Sequence, residues 1–114
     1  MADKNIIILK KIKKHAKSAT EYTKELSFEE FLKDKKTLEA SVFNISQIGE
    51  LVKSLDKVLM EKYDNVYWFG IRGLRNRIVH DYDGIQFDYI WITIKKNLPQ
   101  LIKDINLIIK KEKQ

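Results

Sequence analysis

The side chains best suited to chemistry lie close together in residues 72–82, which read Arg-Gly-Leu-Arg-Asn-Arg-Ile-Val-His-Asp-Tyr. Arg72, Asn76 and His80 follow one another at intervals of four residues, so a helix would place them on one face. The guanidinium and amide groups of this face could hold a phosphate, while the imidazole exchanges a proton near neutral pH. The spacing therefore suggests a site that binds a phosphate and moves a proton.

A second pair in the same segment, Arg75 and His80, needs more than a regular helix to meet. Residues five apart are separated by about 140° around a helix. Arg75 must curl across the surface, the helix must tighten, or a second copy of the chain must bring the two groups together across a two-fold axis. A purely structural role is equally open at this point. His80 could cap a helix end, and Arg75 could pair with Asp81 or Asp83.

Composition predicts an all-α protein. The chain has 114 residues, of which 44% are hydrophobic and 33% charged, and it contains one proline and four glycines. So few turn-forming residues disfavour a β protein, and long stretches of good helix formers remain. We expect a single domain over residues 1–114, folded as an antiparallel bundle of four to six helices.

The charge balance and the absence of cysteine indicate what kind of partner the protein has and in which compartment it works. The formal charge of +6 makes a polyanionic partner plausible, because lysine and arginine displace counterions from phosphates. The chain has no cysteine, so it has no disulfide framework and no thiolate nucleophile, as is common in the cytoplasm. Its longest aliphatic run, residues 6–9, is too short for a membrane span and is interrupted at once by Lys10 and Lys11, so we expect neither export nor membrane contact.

Apolar periodicity predicts where the helices lie. The first helix is expected over residues 5–25, and a second, longer one from the N-cap Ser27, with Glu30 at capping-box spacing, to Leu59. A third should span residues 67–80, and a last helical region residues 87–111. The predicted buried positions of these helices are Ile8, Leu9, Ile12, Ala16, Ala19, Tyr22 and Leu26; the heptad series Phe31, Leu38, Ile45, Val52 and Leu59; Trp68, Ile71, Leu74 and Ile78; and Leu98, Leu101, Ile102, Ile105 and Ile109.

Two smaller features complete the prediction. We expect a break in the last helical region near residues 97–99, because Pro99 lacks the N–H that a helix interior requires but suits a first turn. His15 falls on the buried stripe of the first helix, where a packed histidine is more common than a catalytic one. We therefore assign His15 no function.

The segment Arg75-Asn76-x3-His80-x-Tyr82 matches the Arg-x4-His-x-Tyr motif of HEPN domains, and specifically resembles their HepT-like group. The resemblance covers almost the whole chain. One departure is Tyr67, which stands where the family often has a proline before its tryptophan. Other segments that resemble the family are Ser27-Phe28-Glu29-Glu30-Phe31, Ile48-Gly49-Glu50, Trp68, Gly73-Leu74, Ile78-Val79, Trp91 and Leu98-Pro99-Gln100-Leu101.

The resemblance implies a metal-independent endoribonuclease that works as a homodimer on RNA and needs no cofactor. Carried over by position, Arg75 and His80 are the catalytic pair and Asn76 a polar helper. Arg72, which shares a helical face with Asn76 and His80, is expected to support them. The implied reaction is attack of a ribose 2′-hydroxyl on the adjacent phosphate, which leaves a 2′,3′-cyclic end. His80 would act as general acid or base, and Arg75 would stabilise the charge that grows on the phosphoryl oxygens.

The resemblance also implies a protein partner. In HepT-like toxins the motif tyrosine, which is Tyr82 here, accepts AMP from a cognate minimal nucleotidyltransferase antitoxin, in toxin–antitoxin pairs of a type VII-like kind. The added adenylate would place bulk and negative charge beside the RNA site and silence it. We therefore expect Tyr82 to be a modification site.

Two other functions fit the same residues. The chain could be a non-catalytic nucleotide- or partner-binding subunit of a two-component nucleotidyltransferase, using the Arg72 and His80 face to hold a nucleotide. It could also be a helical interaction protein whose basic charge is incidental. The intact set of Arg75, His80 and Tyr82 favours the nuclease.

Overall fold

The computed structural model describes residues 2–68, 70–73 and 87–113, and every regular element within them is helical, as predicted. Within these ranges, no helix is both long enough and apolar enough to cross a bilayer. The elements are α1 (Ala2–Tyr22), α2 (Phe28–Lys33), α3 (Lys35–Lys53), α4 (Lys57–Lys62), α5 (Phe87–Ile92), a π-helical turn (Thr93–Asn97) and α6 (Leu98–Glu112).

Helix α1 lies at the centre of an antiparallel bundle and packs along both α3 and α6. Hydrogen bonds show the direction of α3. Asn5, near the start of α1, exchanges hydrogen bonds with Asp56, whereas His15, further along α1, bonds Asn44. At the far end, just beyond α1, Lys95 donates to the carbonyl oxygen of Thr23 at 2.8 Å. The predicted antiparallel helical bundle is therefore confirmed.

The core follows the apolar pattern of the sequence. On α1, the side chains of Leu9, Ile12, Ala16 and Ala19 are completely buried. The five heptad positions from Phe31 to Leu59 are all buried as predicted, and α6 adds Leu98, Leu101, Ile105 and Ile108. Each large aliphatic side chain removed from water in this way stabilises the fold by roughly 1.5–3 kcal/mol.

The single helix predicted from Ser27 to Leu59 is wrong, because the chain forms α2, α3 and α4 instead. The capping box at its start is confirmed: the Glu30 N–H donates to the Ser27 hydroxyl, and the Ser27 N–H donates to the Glu30 carboxylate. Asp34 then ends α2 and caps α3, since its carboxylate accepts hydrogen bonds from the N–H and hydroxyl of Thr37. A second interruption between α3 and α4 brings Asp56 to Asn5.

The first helix also ends earlier than predicted, at Tyr22. Tyr22 is 54% exposed, so its expected place in the core is wrong, and the next residue, Thr23, is completely buried. The Thr23 hydroxyl donates to the carbonyl oxygen of Ala19 at 3.0 Å. That bond competes with regular helix geometry and accompanies the turn that follows.

The predicted break near Pro99 takes the form of the π-helical turn, and the chain stays helical from α5 through α6. In a regular α-helix the ring of Pro99 would clash with the carbonyl of Lys95. The backbone nitrogen of Pro99 would also have no N–H to donate to that carbonyl. The chain widens just before Pro99 instead, and the Leu98 N–H donates to the carbonyl oxygen of Thr93. Leu98, Leu101 and Ile105 are buried as predicted, whereas Ile102 and Ile109 are only half-buried and Ile108 replaces them in the core.

Candidate active site

Trp68 holds the chain in place just before the candidate catalytic motif. Its side chain is buried, and its indole Nε1–H donates to the carbonyl oxygen of Tyr63 at 3.1 Å. Its backbone N–H donates to the carbonyl oxygen of Val66 at 2.9 Å. A buried indole N–H generally needs such a partner, so the Tyr63 carbonyl determines how the ring sits.

Tyr63 is in turn bound to the end of α6. Its hydroxyl and the Lys62 ammonium both donate to Oε2 of Glu112, the latter at 2.8 Å. The hydrogen bond to Glu112 raises the pKa of the Tyr63 phenol, and the donors on Lys62 and then Tyr63 lower the pKa of the Glu112 carboxylate. These contacts connect the last turn of α6, through Tyr63 and Trp68, to the start of the motif segment.

Residues 70–73 are helical, in agreement with the predicted third helix, and the Ile71 N–H donates to the carbonyl oxygen of Tyr67 at 3.2 Å. Ile71 is half-buried against the core, whereas Arg72 is exposed. The structure therefore places Arg72, the first of the predicted site residues, on the solvent side of this short helical stretch.

The other predicted site residues lie outside the described part of the chain. Arg75, Asn76, His80 and Tyr82 all fall between residues 74 and 86. The predicted convergence of Arg75 with His80 on one phosphate therefore stays a prediction, as does the accessibility of Tyr82. The same holds for the predicted burial of Leu74 and Ile78.

A cavity of about 240 Å³ adjoins both chain segments that flank residues 74–86. Gly70 and Ile71 line it on one side, and Tyr89 of α5 lines it on the other. Its apolar floor and its polar rim come from different parts of the chain. The floor consists of Ile45, Ile48, Val66, Leu98 and Leu101, and the rim of Asn65, Tyr67, Thr93, Asn97, Gln100 and Asp104.

The rim offers mainly uncharged hydrogen-bonding groups, and Asp104 is the one charged side chain among the described residues that line it. Asn65, Asn97 and Gln100 are exposed amides, and Gln100 Nε2 donates to Oδ1 of Asp104 at 3.1 Å. Tyr67 is 77% exposed, and its ring lies so close over Gly70 that a β-carbon added there would meet ring carbons. An apolar floor under amide and phenol groups is the usual composition of a site for a small organic group such as a nucleobase.

Sequence reasoning did not find this cavity. Its rim combines residues from 65–67 with residues from the π-helical turn and α6, and no motif joins them. The glycine at position 70 was the one local signal, since it allows an aromatic ring to approach the backbone.

The other histidine of the chain, His15, forms a contact between two helices. His15 is half-buried between α1 and α3, and its Nδ1 donates to Oδ1 of Asn44 at 2.8 Å. The Asn44 amide nitrogen donates to the carbonyl oxygen of Ala40, which identifies Oδ1 as the acceptor toward His15.

Among the residues that the structure describes, no three His, Asp or Glu side chains are grouped as metal ligands.

Comparison with known proteins gives a consistent result. The chain matches the family described as Ribonuclease HepT-like over residues 12–108, a span that includes Arg75, His80 and Tyr82. No solved structure gives a significant match.

Individual relatives carry matching names. "Putative RNase MJ0127" of Methanocaldococcus jannaschii is 39% identical over 99 residues, which cover 87% of this chain and 82% of that protein. "Putative RNase TTE0752" of Caldanaerobacter subterraneus subsp. tengcongensis is 42% identical over 93 residues, covering 82% and 83%. "Probable ribonuclease HepT" of Thermococcus cleftensis is 32% identical over 81 residues, covering 71% and 74%. The chain therefore belongs to the HepT-like ribonuclease family.

Proposed function

We propose that this protein is a metal-independent, cytoplasmic endoribonuclease toxin whose catalytic pair is Arg75 and His80. The observation that carries the proposal is the family match over residues 12–108, because this span contains the complete Arg75-x4-His80-x-Tyr82 motif. The described neighbourhood is compatible with such a site. Arg72 is exposed just before the motif, and Gly70 and Ile71 border a cavity large enough for a base.

The reaction requires no group beyond those in the motif, the RNA and solvent water. The ribose 2′-oxygen forms a bond to the adjacent phosphorus, and the bond from phosphorus to the 5′-oxygen of the next nucleotide breaks. One proton leaves the 2′-hydroxyl and one reaches the departing 5′-oxygen; His80 handles one of these transfers and solvent water the other. Arg75 stabilises the added charge on the non-bridging oxygens, and Asn76 and Arg72 help to hold the phosphate.

A homodimer completes the proposed site. On a regular helix Arg75 and His80 would be about 140° apart, so one copy alone would present them in different directions. A two-fold axis beside this helix would bring Arg75 of one copy to His80 of the other. The catalytic groups would then converge only in the assembled dimer.

Control by AMP transfer is the remaining part of the proposal. The Tyr82 hydroxyl attacks the α-phosphorus of ATP held by a cognate minimal nucleotidyltransferase antitoxin, so that AMP is transferred and pyrophosphate leaves. The adenylate then occupies the place of the RNA phosphate and repels its charge. When the two proteins are produced together, we expect an adduct of AMP mass on the wild type and none on Tyr82→Phe. An adduct retained by Tyr82→Phe would show that another residue is the acceptor.

The nuclease is tested by incubating RNA with the purified protein in excess chelator and identifying the product ends. We expect 2′,3′-cyclic phosphates, and a loss of rate of about 10²–10⁴-fold for both Arg75→Ala and His80→Ala. His15→Gln, which changes the structural histidine, is the matched control and should retain activity. Cleavage that needs Mg²⁺ or that survives His80→Ala would contradict the proposed mechanism.

The dimeric arrangement has its own test. If each site combines Arg75 of one copy with His80 of the other, mixing the two inactive variants restores one working site in every mixed dimer. Random exchange would then return about a quarter of the wild-type rate. No recovery, with exchange of subunits verified, would place both residues of a site in the same copy.

The alternative function, a non-catalytic nucleotide-binding subunit, gives the opposite result in the first assay. It predicts tight binding of a nucleotide, as the polar-rimmed cavity would allow, together with no turnover of any RNA offered.

A further inference from the structure

The net charge of the protein is concentrated in α1. The chain has 22 Lys and Arg residues and 16 Asp and Glu residues, and residues 4–17 contain six of these lysines and no acidic residue. Outside residues 4–17, basic and acidic residues are therefore equal in number, at 16 each. The formal charge of +6 comes entirely from this stretch of α1.

Four of these lysines share one face of the helix. Lys10, Lys13, Lys14 and Lys17, called the lysine face below, are spaced to lie opposite the buried side chains of α1. They line a shallow surface groove of about 610 Å³, together with Ser18, Glu21 and Tyr22. The face thus continues along the helix to an aromatic side chain that is 54% exposed.

The end of α6 adds another cation to this surface. Lys113 lies so close to Lys10 that its hydrogen bond and its positive charge lower the pKa of the Lys10 ammonium. Glu21 is the one carboxylate among the described residues that line the groove. In contrast to Lys53 with Glu50 and Lys62 with Glu112, no lysine of this face forms an ion pair within the described part of the chain.

A solvent-facing helix normally intersperses acids among its lysines, because opposite charges four residues apart stabilise it and like charges destabilise it. Lys10, Lys13 and Lys14 have no acidic residue three or four positions away, Glu21 stands at this spacing only from Lys17, and Lys113 increases the repulsion. A strand of phosphates would relieve it, since each phosphate neutralises a lysine and releases bound counterions. A positive groove next to an exposed aromatic ring is also the usual arrangement for single-stranded nucleic acid, whose bases can stack on the ring.

We propose that the lysine face of α1 binds the backbone of single-stranded RNA, with Tyr22 stacking against one of its bases. The inference rests on the proposed function, since it assigns to the ribonuclease a substrate-binding surface built from residues other than those of the motif segment 72–82. Lysines are suited to this role because they act as mobile point charges that follow a backbone without reading its sequence.

The test measures binding of a fluorescein-labelled, 2′-O-methylated single-stranded oligonucleotide of about 16 nucleotides by fluorescence anisotropy. This probe lacks the attacking hydroxyl, so binding is read independently of cleavage. For the triple variant Lys10→Gln, Lys13→Gln, Lys17→Gln we expect binding about tenfold weaker at low salt. The slope of log affinity against log salt should become shallower by about 2.

The matched control removes three exposed lysines elsewhere, as Lys33→Gln, Lys35→Gln, Lys36→Gln, with the same change in net charge. This control should bind the probe within about twofold of the wild type, because salt screens the attraction between RNA bound at the lysine face and lysines elsewhere. Tyr22→Ala should weaken binding at least about fivefold, whereas Phe43→Ala, which removes another exposed ring, should not.

Several results would overturn the inference: equal losses in the two triple variants, an unchanged affinity in the first, tighter binding of a duplex, or equally effective competition by polyglutamate, which would indicate an acidic protein partner. Failure of the proposed function looks different. A wild type that binds the probe through the lysine face but leaves unmodified RNA intact would support this inference and contradict the nuclease.

Discussion

Aromatic side chains are buried on one side of the bundle and exposed on the other. Phe31 of α2 is completely buried, and its ring lies 5.1 Å from that of Trp91 in α5. Tyr67, on the rim of the cavity before the motif, is 77% exposed, and Tyr89 across the cavity is 46% exposed. The first side is closed by apolar packing, whereas the second leaves hydrogen-bonding groups and ring faces available to a ligand.

This difference separates the part of the molecule that provides stability from the part next to the candidate site. Burial of α1 against α3 and α6 does not depend on what occupies the cavity. The cavity side adds hydrogen bonds to its apolar contacts, such as those of Trp68 with Tyr63 and of Tyr63 with Glu112. Substitutions on the two sides should therefore change different measured quantities.

The largest effect is expected when equivalent rings are removed from the two sides. Phe31→Ala should lower the free energy of unfolding by about 3–5 kcal/mol, because it leaves a cavity in a fully packed core. Tyr67→Ala should change it by less than about 1 kcal/mol, since most of that ring is already in water. Urea unfolding followed by circular dichroism measures both. Similar losses in the two variants would remove the contrast between the sides.

A smaller effect is expected from the two tryptophans. Trp68→Phe removes the hydrogen bond to the buried Tyr63 carbonyl and should cost about 1–3 kcal/mol of stability. It should also lower RNA cleavage, because the motif segment begins at this residue. Trp91→Phe is the matched control: it keeps a ring between Phe28 and Phe31, and should affect stability more than cleavage. Equal effects on cleavage would argue against a positioning role for Trp68.

The smallest effect concerns pH and the junction of α2 with α3. The backbone N–H of Thr37, and then its hydroxyl, lower the pKa of the Asp34 carboxylate in the folded state. The stabilising contribution of the Asp34 carboxylate is therefore complete above the ordinary aspartate pKa of about 3.9. It is lost as the pH falls through the lower pKa that Asp34 has in the folded state. The melting temperature of Asp34→Asn, which keeps an acceptor oxygen, should fall less steeply below about pH 4 than that of the wild type. Parallel curves for the two proteins would contradict this assignment.

The fold was largely predictable from apolar spacing, and the exceptions have local causes. The positions from Phe31 to Leu59 are buried as expected although three helices carry them, because the interruption at Asp34 is too short to shift the repeat. Spacing alone cannot show that Asp34 caps a new helix, since its acceptor role depends on Thr37. Tyr22 was misplaced because α1 ends at this residue and the next residue, Thr23, is buried in its place.

The candidate site was predictable only as a motif. Arg75, His80 and Tyr82 are recognisable by type and spacing, which are properties of the sequence itself. The cavity is lined in part by Asn65 and Gln100, which are brought together by packing over a long stretch of chain and share no pattern. The lysine face was visible as a run of charge, but its lack of acidic partners becomes meaningful only once Lys113 is seen beside Lys10.

The widened turn at Thr93–Asn97 has a consequence for insertions and deletions. It lets the helix before it keep Trp91 against α2 while the helix after it keeps Leu101 and Ile105 in the core. Inserting or deleting one residue elsewhere in these helices would rotate everything downstream by about 100°, and either Trp91 or the buried stripe of α6 would then face water. A deletion within the turn differs, because a return to regular winding with one residue fewer largely cancels that rotation, so this turn is the place where the helices can lose one residue and keep both contacts.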